Sequence, residues 1–107
     1  MAVIEWDSQA WQLYNDLLEN GRLEFGEKTA RRWETEIVDI YNRLKIFPTS
    51  YTPESLLKGK SRLYRGCHLM HRRFKLIYYY DEAEDIVHIL DIWDTKMNPK
   101  ALIRRIK

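Results

Sequence analysis

The sequence predicts an α+β fold: an N-terminal strand and a helical hairpin packed on one face of an antiparallel β-sheet, in the order β-α-α-β-β-β, with a short C-terminal helix. Three observations predict it. Apolar residues recur every three or four positions from Ala10 to Leu44. From Arg62 to Asp94 the pattern changes to alternation, with many β-branched and aromatic residues. A loop punctuated by Pro48, Pro53 and Gly59 separates the two halves.

Each element has its own justification. Ala2–Trp6 is a short β-type segment, and Asp7 or Ser8 then offers an N-cap oxygen. Ala10, Leu13, Tyr14, Leu17 and Leu18 form one apolar stripe of a first helix. Asn20-Gly21 is expected to stop it, with Gly21 in the left-handed position after the helix. The second helix starts near Gly26 and places Ala30, Trp33, Ile37, Ile40, Tyr41 and Leu44 on one face. It must end before Pro48, which disfavours helical geometry at Phe47. These stripes read as core, and neither Trp11 nor Trp33 is given a functional role.

Three strands are expected over Arg62–Met70, Arg72–Tyr80 and Asp85–Asp94, the last two joined by an acidic turn, Asp81-Glu-Ala-Glu84. In the middle strand Phe74, Leu76, Tyr78 and Tyr80 share the face assigned to the helices. Arg73, Lys75, Ile77 and Tyr79 share the other. Arg65 joins Lys75 on that second face if the registers agree, and the face is expected to be the open, functional one. Ile86–Trp93 is apolar on both faces, as a central strand would be. Asn98-Pro99 opens a last short helix ending in Arg104-Arg105.

At 107 residues the chain suffices for one domain over residues 1–107, and its 45% hydrophobic content with four Trp, seven Tyr and three Phe excludes a disordered tail. The single cysteine, Cys67, excludes an intrachain disulfide and fits a reducing compartment. No apolar stretch approaches the ~18 residues that mark a membrane span, and no signal-peptide pattern opens the chain. The expectation is a complete cytoplasmic protein without a membrane partner. The three His and Cys67 lack paired zinc-ligand spacings, and no Gly-rich phosphate loop, nucleophile elbow or Walker pattern occurs. No metal and no cofactor is expected.

The net charge is only +2, but its distribution is uneven. Ser55–Tyr80 holds no acid and carries Lys58, Lys60, Arg62, Arg65, Arg72, Arg73 and Lys75. Lys96, Lys100, Arg104, Arg105 and Lys107 make an acid-free C-terminal stretch, and all 16 acids lie in the remaining segments. The expected molecule is two-sided, with acidic helices and a basic, β-patterned surface suited to a phosphate-bearing partner. Solvated faces that happen to differ in sign are the plain alternative.

Four segments taken in order carry a family resemblance: Leu44-Lys-Ile-Phe-Pro48, Leu63-Tyr-Arg-Gly66, Phe74-Lys-Leu-Ile-Tyr78 and Ile89-Leu-Asp-Ile-Trp-Asp-Thr-Lys-Met-Asn-Pro99. None is specific alone, but together they span nearly the whole chain. The set resembles the RelE/ParE superfamily of bacterial type II toxins. That resemblance implies a growth-inhibiting toxin, of a kind tied to plasmid stabilisation, silenced by a cognate antitoxin protein. One branch cleaves mRNA on the ribosome as a metal-independent endoribonuclease (an mRNA interferase) and so is RNA-binding. Another poisons DNA gyrase. A non-catalytic nucleic-acid- or protein-binding module on the same fold is a third possibility.

The resemblance also assigns residues. Lys75 stands where the ribosome-dependent branch has a strand arginine that holds the scissile phosphate. Lysine keeps the charge and loses the bidentate fork. Arg65 matches a basic position on the preceding strand, whereas Cys67 departs from a position that is basic in some members. Glu54, within Pro53-Glu-Ser-Leu, is similar to the general base of the YoeB-like branch. The catalytic expectation is therefore Lys75, Arg65 and Glu54. The nucleic-acid-binding expectation is Lys58, Lys60, Arg62, Arg72, Arg73 and Lys96. His68 and His71 lie nearby, but nothing in the sequence turns them toward Lys75. Trp93-Asp-Thr-Lys96 replaces the expected Arg, Tyr or His proton donor, and Asp94 near its ordinary pKa of ~4 is a poor acid at neutral pH.

Overall fold

The computed structural model describes residues 1–107. Strand β1 (Val3–Trp6) is followed by helices α1 (Ser8–Phe25) and α2 (Glu27–Ile46). Strands β2 (Arg65–Leu69), β3 (Phe74–Asp81) and β4 (Ile86–Asp94) lead to helix α3 (Pro99–Arg105). The predicted element order is the observed one. In space the strands run β1-β4-β3-β2. Both hairpin pairs are antiparallel, whereas β1 lies parallel to β4, so the sheet is mixed. The chain between β1 and β4, which runs through the helical hairpin, β2 and β3, makes the long crossover that a parallel partner requires.

Asp7 caps α1, its Oδ2 accepting from the backbone N–H groups of Gln9 at 3.1 Å and Ala10 at 3.3 Å. The expected stop at Gly21 is not there. Gly21 lies inside α1, and a Cβ on it would sit 2.1 Å from Trp33 Cζ3. It is glycine because α2 approaches closely, not because the chain turns. Gly26 makes the turn instead, at φ 95°, and serves as both the C-cap of α1 and the N-cap of α2. A helical glycine and a capping glycine look alike in sequence when they lie only five positions apart.

The main core lies between the hairpin and one face of the sheet. Tyr14, Trp33, Ile37, Ile40 and Leu44 meet Cys67, Leu69, Leu76, Tyr78, Val87, Ile89 and Ile92. Burial of a large apolar side chain of this kind stabilises by about 1.5–3 kcal/mol. Burial also pushes the Cys67 thiol up to about 12, with Glu36 adding to the shift. Trp6 donates its indole N–H to Tyr41 at 2.6 Å, and Tyr78 donates its hydroxyl hydrogen to the Pro48 carbonyl at 2.9 Å. In β4 a bulge opposite Ile77/Tyr78 lets Ile89 and Ile92, three residues apart, both enter this core.

The opposite face is not open along its length. A second, smaller core covers its middle, built from Leu57, Tyr64, Ile77, Trp93, Leu102 and Ile106. Helix α3 supplies Leu102 and starts at Pro99 under an Asn98 cap, whose side chain accepts from Lys100 N–H at 3.0 Å. A 3₁₀ turn at Ser55–Leu57 supplies Leu57. No helix is long and apolar enough to cross a membrane.

Candidate functional site

Lys75 reaches the site because β3 alternates. Its neighbours Leu76 and Phe74 face the hairpin, so Lys75 faces away. Its ammonium donates to Glu54 Oε2 at 2.6 Å. Glu54 comes from the loop before β2. An isolated bridge between Pro53 and Arg65 ties that loop to the sheet, and Glu54 N–H donates to the Tyr64 carbonyl at 2.8 Å. The other carboxylate oxygen, Oε1, accepts from Leu56 N–H at 3.2 Å and so caps the 3₁₀ turn. Glu54 is only 7% exposed, which makes this a partly buried ion pair with both carboxylate oxygens engaged.

Gly66 makes room for the pair. A Cβ there would meet Lys75 Cδ and Ile77 Cδ1 at 3.3 Å and Glu54 Oε2 at 3.4 Å. The register also places His68 directly across from Lys75, and Lys75 in turn across from Trp93. The half-buried imidazole of His68 has its pKa lowered, first by desolvation and then by Arg72 and Lys75, with Glu54 opposing. Arg72 projects from the β2–β3 turn, where Met70, His71 and Arg72 all hold left-handed backbone at φ 54°, 58° and 65°. Such geometry is costly for residues other than glycine.

The remaining predicted residues lie elsewhere. Arg65 is opposite Tyr78, on the hairpin side of the sheet, and its Nη1 donates to the Tyr51 carbonyl at 2.8 Å. The expectation that it shares a face with Lys75 is corrected: Cys67 and Leu69 enter the main core, which turns Arg65 to their side by period two. Arg73 makes a two-pronged ion pair with Asp94, Nε to Oδ1 at 2.8 Å and Nη2 to Oδ2 at 3.0 Å. Arg73 holds the Asp94 carboxyl below the usual carboxylate range, so Asp94 is a still poorer proton donor. Lys58 and Lys96 are exposed, and Lys60 is half-buried. Arg62 stacks over the Tyr79 ring at 4.3 Å, four residues along β3 from Lys75.

Sequence reasoning left two groups unplaced. The facing of His68 needed the register of β2, which follows once Cys67 is taken as core. The buried Asp91 and the more exposed Arg105 form an ion pair that ties α3 to β4, and no spacing in the sequence joins them. No three His, Cys, Asp or Glu side chains converge closely enough to hold a metal ion.

Comparison with known proteins fits this architecture. Residues 4–99 match the family model described as the ParE toxin of the type II toxin–antitoxin system, parDE. No match is found among curated protein sequences. Among solved structures, the chain resembles the chromosomal ParDE TA system from P. aeruginosa at TM-score 0.66 and 16% identity, covering 90% of this chain and 98% of that one. It resembles a metal-bound toxin from Helicobacter pylori at TM-score 0.60 and 20% identity, covering 89% and 96%. It resembles the isolated E. coli RelE toxin at TM-score 0.58 and 12% identity, covering 97% and 98%. At these identities the structural likenesses speak for the RelE/ParE fold, and the family match covers most of the chain. The chain belongs to the ParE toxin family of type II toxin–antitoxin systems.

Proposed function

We propose that this toxin inhibits growth by cleaving ribosome-bound mRNA at the face formed by Glu54, His68 and Lys75. The observation that carries the reading is the convergence itself: the Lys75 ammonium lies 2.6 Å from a buried carboxylate, and Lys75 is the cross-strand partner of the half-buried His68. Metal-independent RNA cleavage needs a cation for the charge that builds on the phosphoryl oxygens, and a fixed cation is worth more there than a mobile one. Glu54 fixes Lys75 in this reading, so it positions the cation instead of acting as the base. Lys58, Lys60 and Arg72 hold the RNA backbone. Arg65 stays outside the reacting set.

A second reading is a gyrase poison, favoured by the match to a ParE toxin model over residues 4–99. One experiment separates the two. The purified toxin is added to a cell-free translation reaction and mRNA 5′ ends are mapped, with gyrase-dependent DNA cleavage assayed in parallel. Codon-phased cuts that vanish in Lys75→Ala support the first reading. Intact mRNA together with gyrase-dependent DNA breaks would sink it and support the second. In either case a cognate antitoxin suppresses the effect.

A further inference from the structure

We infer that His68 is the general base of the cleavage step, an inference that rests on the mRNA-cleavage reading. The register puts its side chain on the Lys75 face, directly opposite Lys75. Cross-strand partners hold their Cβ atoms about 4.5–5.5 Å apart, so one phosphodiester can touch both side chains. The other candidates are occupied or displaced. Glu54 has one oxygen engaged by the Lys75 ammonium and the other by Leu56 N–H, so neither is turned toward a 2′-hydroxyl. Asp94 is held by both prongs of Arg73. His88 stacks on Tyr79 at 4.7 Å, further along the sheet. His71 is exposed in the turn.

The charged groups that act on His68 are Lys75 from β3, Glu54 from the preceding loop and Arg72 from the turn; at the sheet edge His68 also shares a shallow pocket with Arg32, Glu36, Asp39 and Arg43 of α2. Burial and the two cations keep the imidazole neutral at neutral pH, the form a base requires. The step balances as follows. His68 takes the proton of the 2′-hydroxyl as the 2′-oxygen bonds to phosphorus. The bond from phosphorus to the 5′-oxygen breaks, and the Lys75 ammonium gives that oxygen a proton. The products are a 2′,3′-cyclic phosphate and a 5′-hydroxyl end. Solvent then returns a proton to Lys75 and removes one from His68.

The test compares the whole toxin with His68→Gln and His68→Ala in the translation reaction across pH, with circular dichroism confirming that each variant is folded. The wild type should give 5′-hydroxyl ends at a rate that rises with pH and levels off below the ordinary histidine value of about 6.5. Both variants should lose roughly 10²- to 10⁴-fold in rate, and the rising limb should disappear. A structural role for His68 would lower the rate without removing that limb. Folded variants that cut at the wild-type rate, or that keep the limb, overturn the assignment and leave the cleavage reading standing. A wild type that leaves mRNA intact overturns both.

Discussion

Two glycines show how a missing side chain can be read in opposite ways. At Gly66 the added methyl group would press on Lys75, Ile77 and Glu54 at 3.3–3.4 Å, within reach of small adjustments. Gly66→Ala should therefore cost no more than about 1 kcal/mol in denaturant titration, yet lower activity by displacing the Lys75–Glu54 pair. At Gly21 the methyl group would overlap the Trp33 ring at 2.1 Å. The gain in helix propensity from Gly to Ala is about 1 kcal/mol. Overpacking costs roughly 1–3 kcal/mol. Gly21→Ala should lower stability on balance, and a higher denaturation midpoint would show that Trp33 moves freely. At this scale the resemblance pointed to Lys75 and Glu54, which the structure brings into contact. The sequence named His68 but could not orient it, because its facing depends on which of its neighbours the distant helices cover.

Helix α3 is held by apolar contacts and one ion pair. Arg105 reaches Asp91, which is 4% exposed in the middle of β4, while the second Asp91 oxygen is buried without a partner. Desolvation raises the Asp91 pKa, and Arg105 is the largest opposing influence. A carboxyl whose folded pKa lies above its unfolded value favours folding at low pH, and that contribution fades as pH rises through the folded value. Removing Arg105 leaves the buried carboxylate without its cation. Arg105→Ala should cost about 1–3 kcal/mol at neutral pH, and the deficit should shrink on acidification as Asp91 takes up a proton. Melting temperatures of both proteins across pH check this. Asp94, whose pKa Arg73 lowers, loses its stabilising contribution as pH falls, but it does so in both proteins and cancels. The seven residues of α3 offer too short a periodic pattern to reveal a second core, so the sequence suggested an open face where the structure has a covered one.

Over the whole molecule, the order of elements was legible because it depends on patterns tens of residues long. Strand direction was not, since period-two alternation is the same in parallel and antiparallel neighbours, and β1 pairs parallel with β4. The basic charges also divide by their surroundings. Lys58 is exposed, whereas Arg65 spends its guanidinium on the Tyr51 carbonyl. If the basic surface binds single-stranded RNA, Lys58→Ala should reduce the salt slope of log K by about 0.7, the value for one neutralised phosphate. Arg65→Ala should leave that slope unchanged. Equal slopes for Lys58→Ala and the wild type would remove Lys58 from the binding surface.

The burial of Cys67 reaches beyond packing. Only the thiolate is nucleophilic, and this thiol is both covered by the hairpin and pushed up to about 12. In the folded protein at neutral pH it is closed to an alkylating reagent, and it reacts once β2 separates from the hairpin. Since the chain has no other cysteine, the rate at which reagent is consumed times that opening with no label introduced. The sheet thus carries its own stopwatch, one residue away from His68.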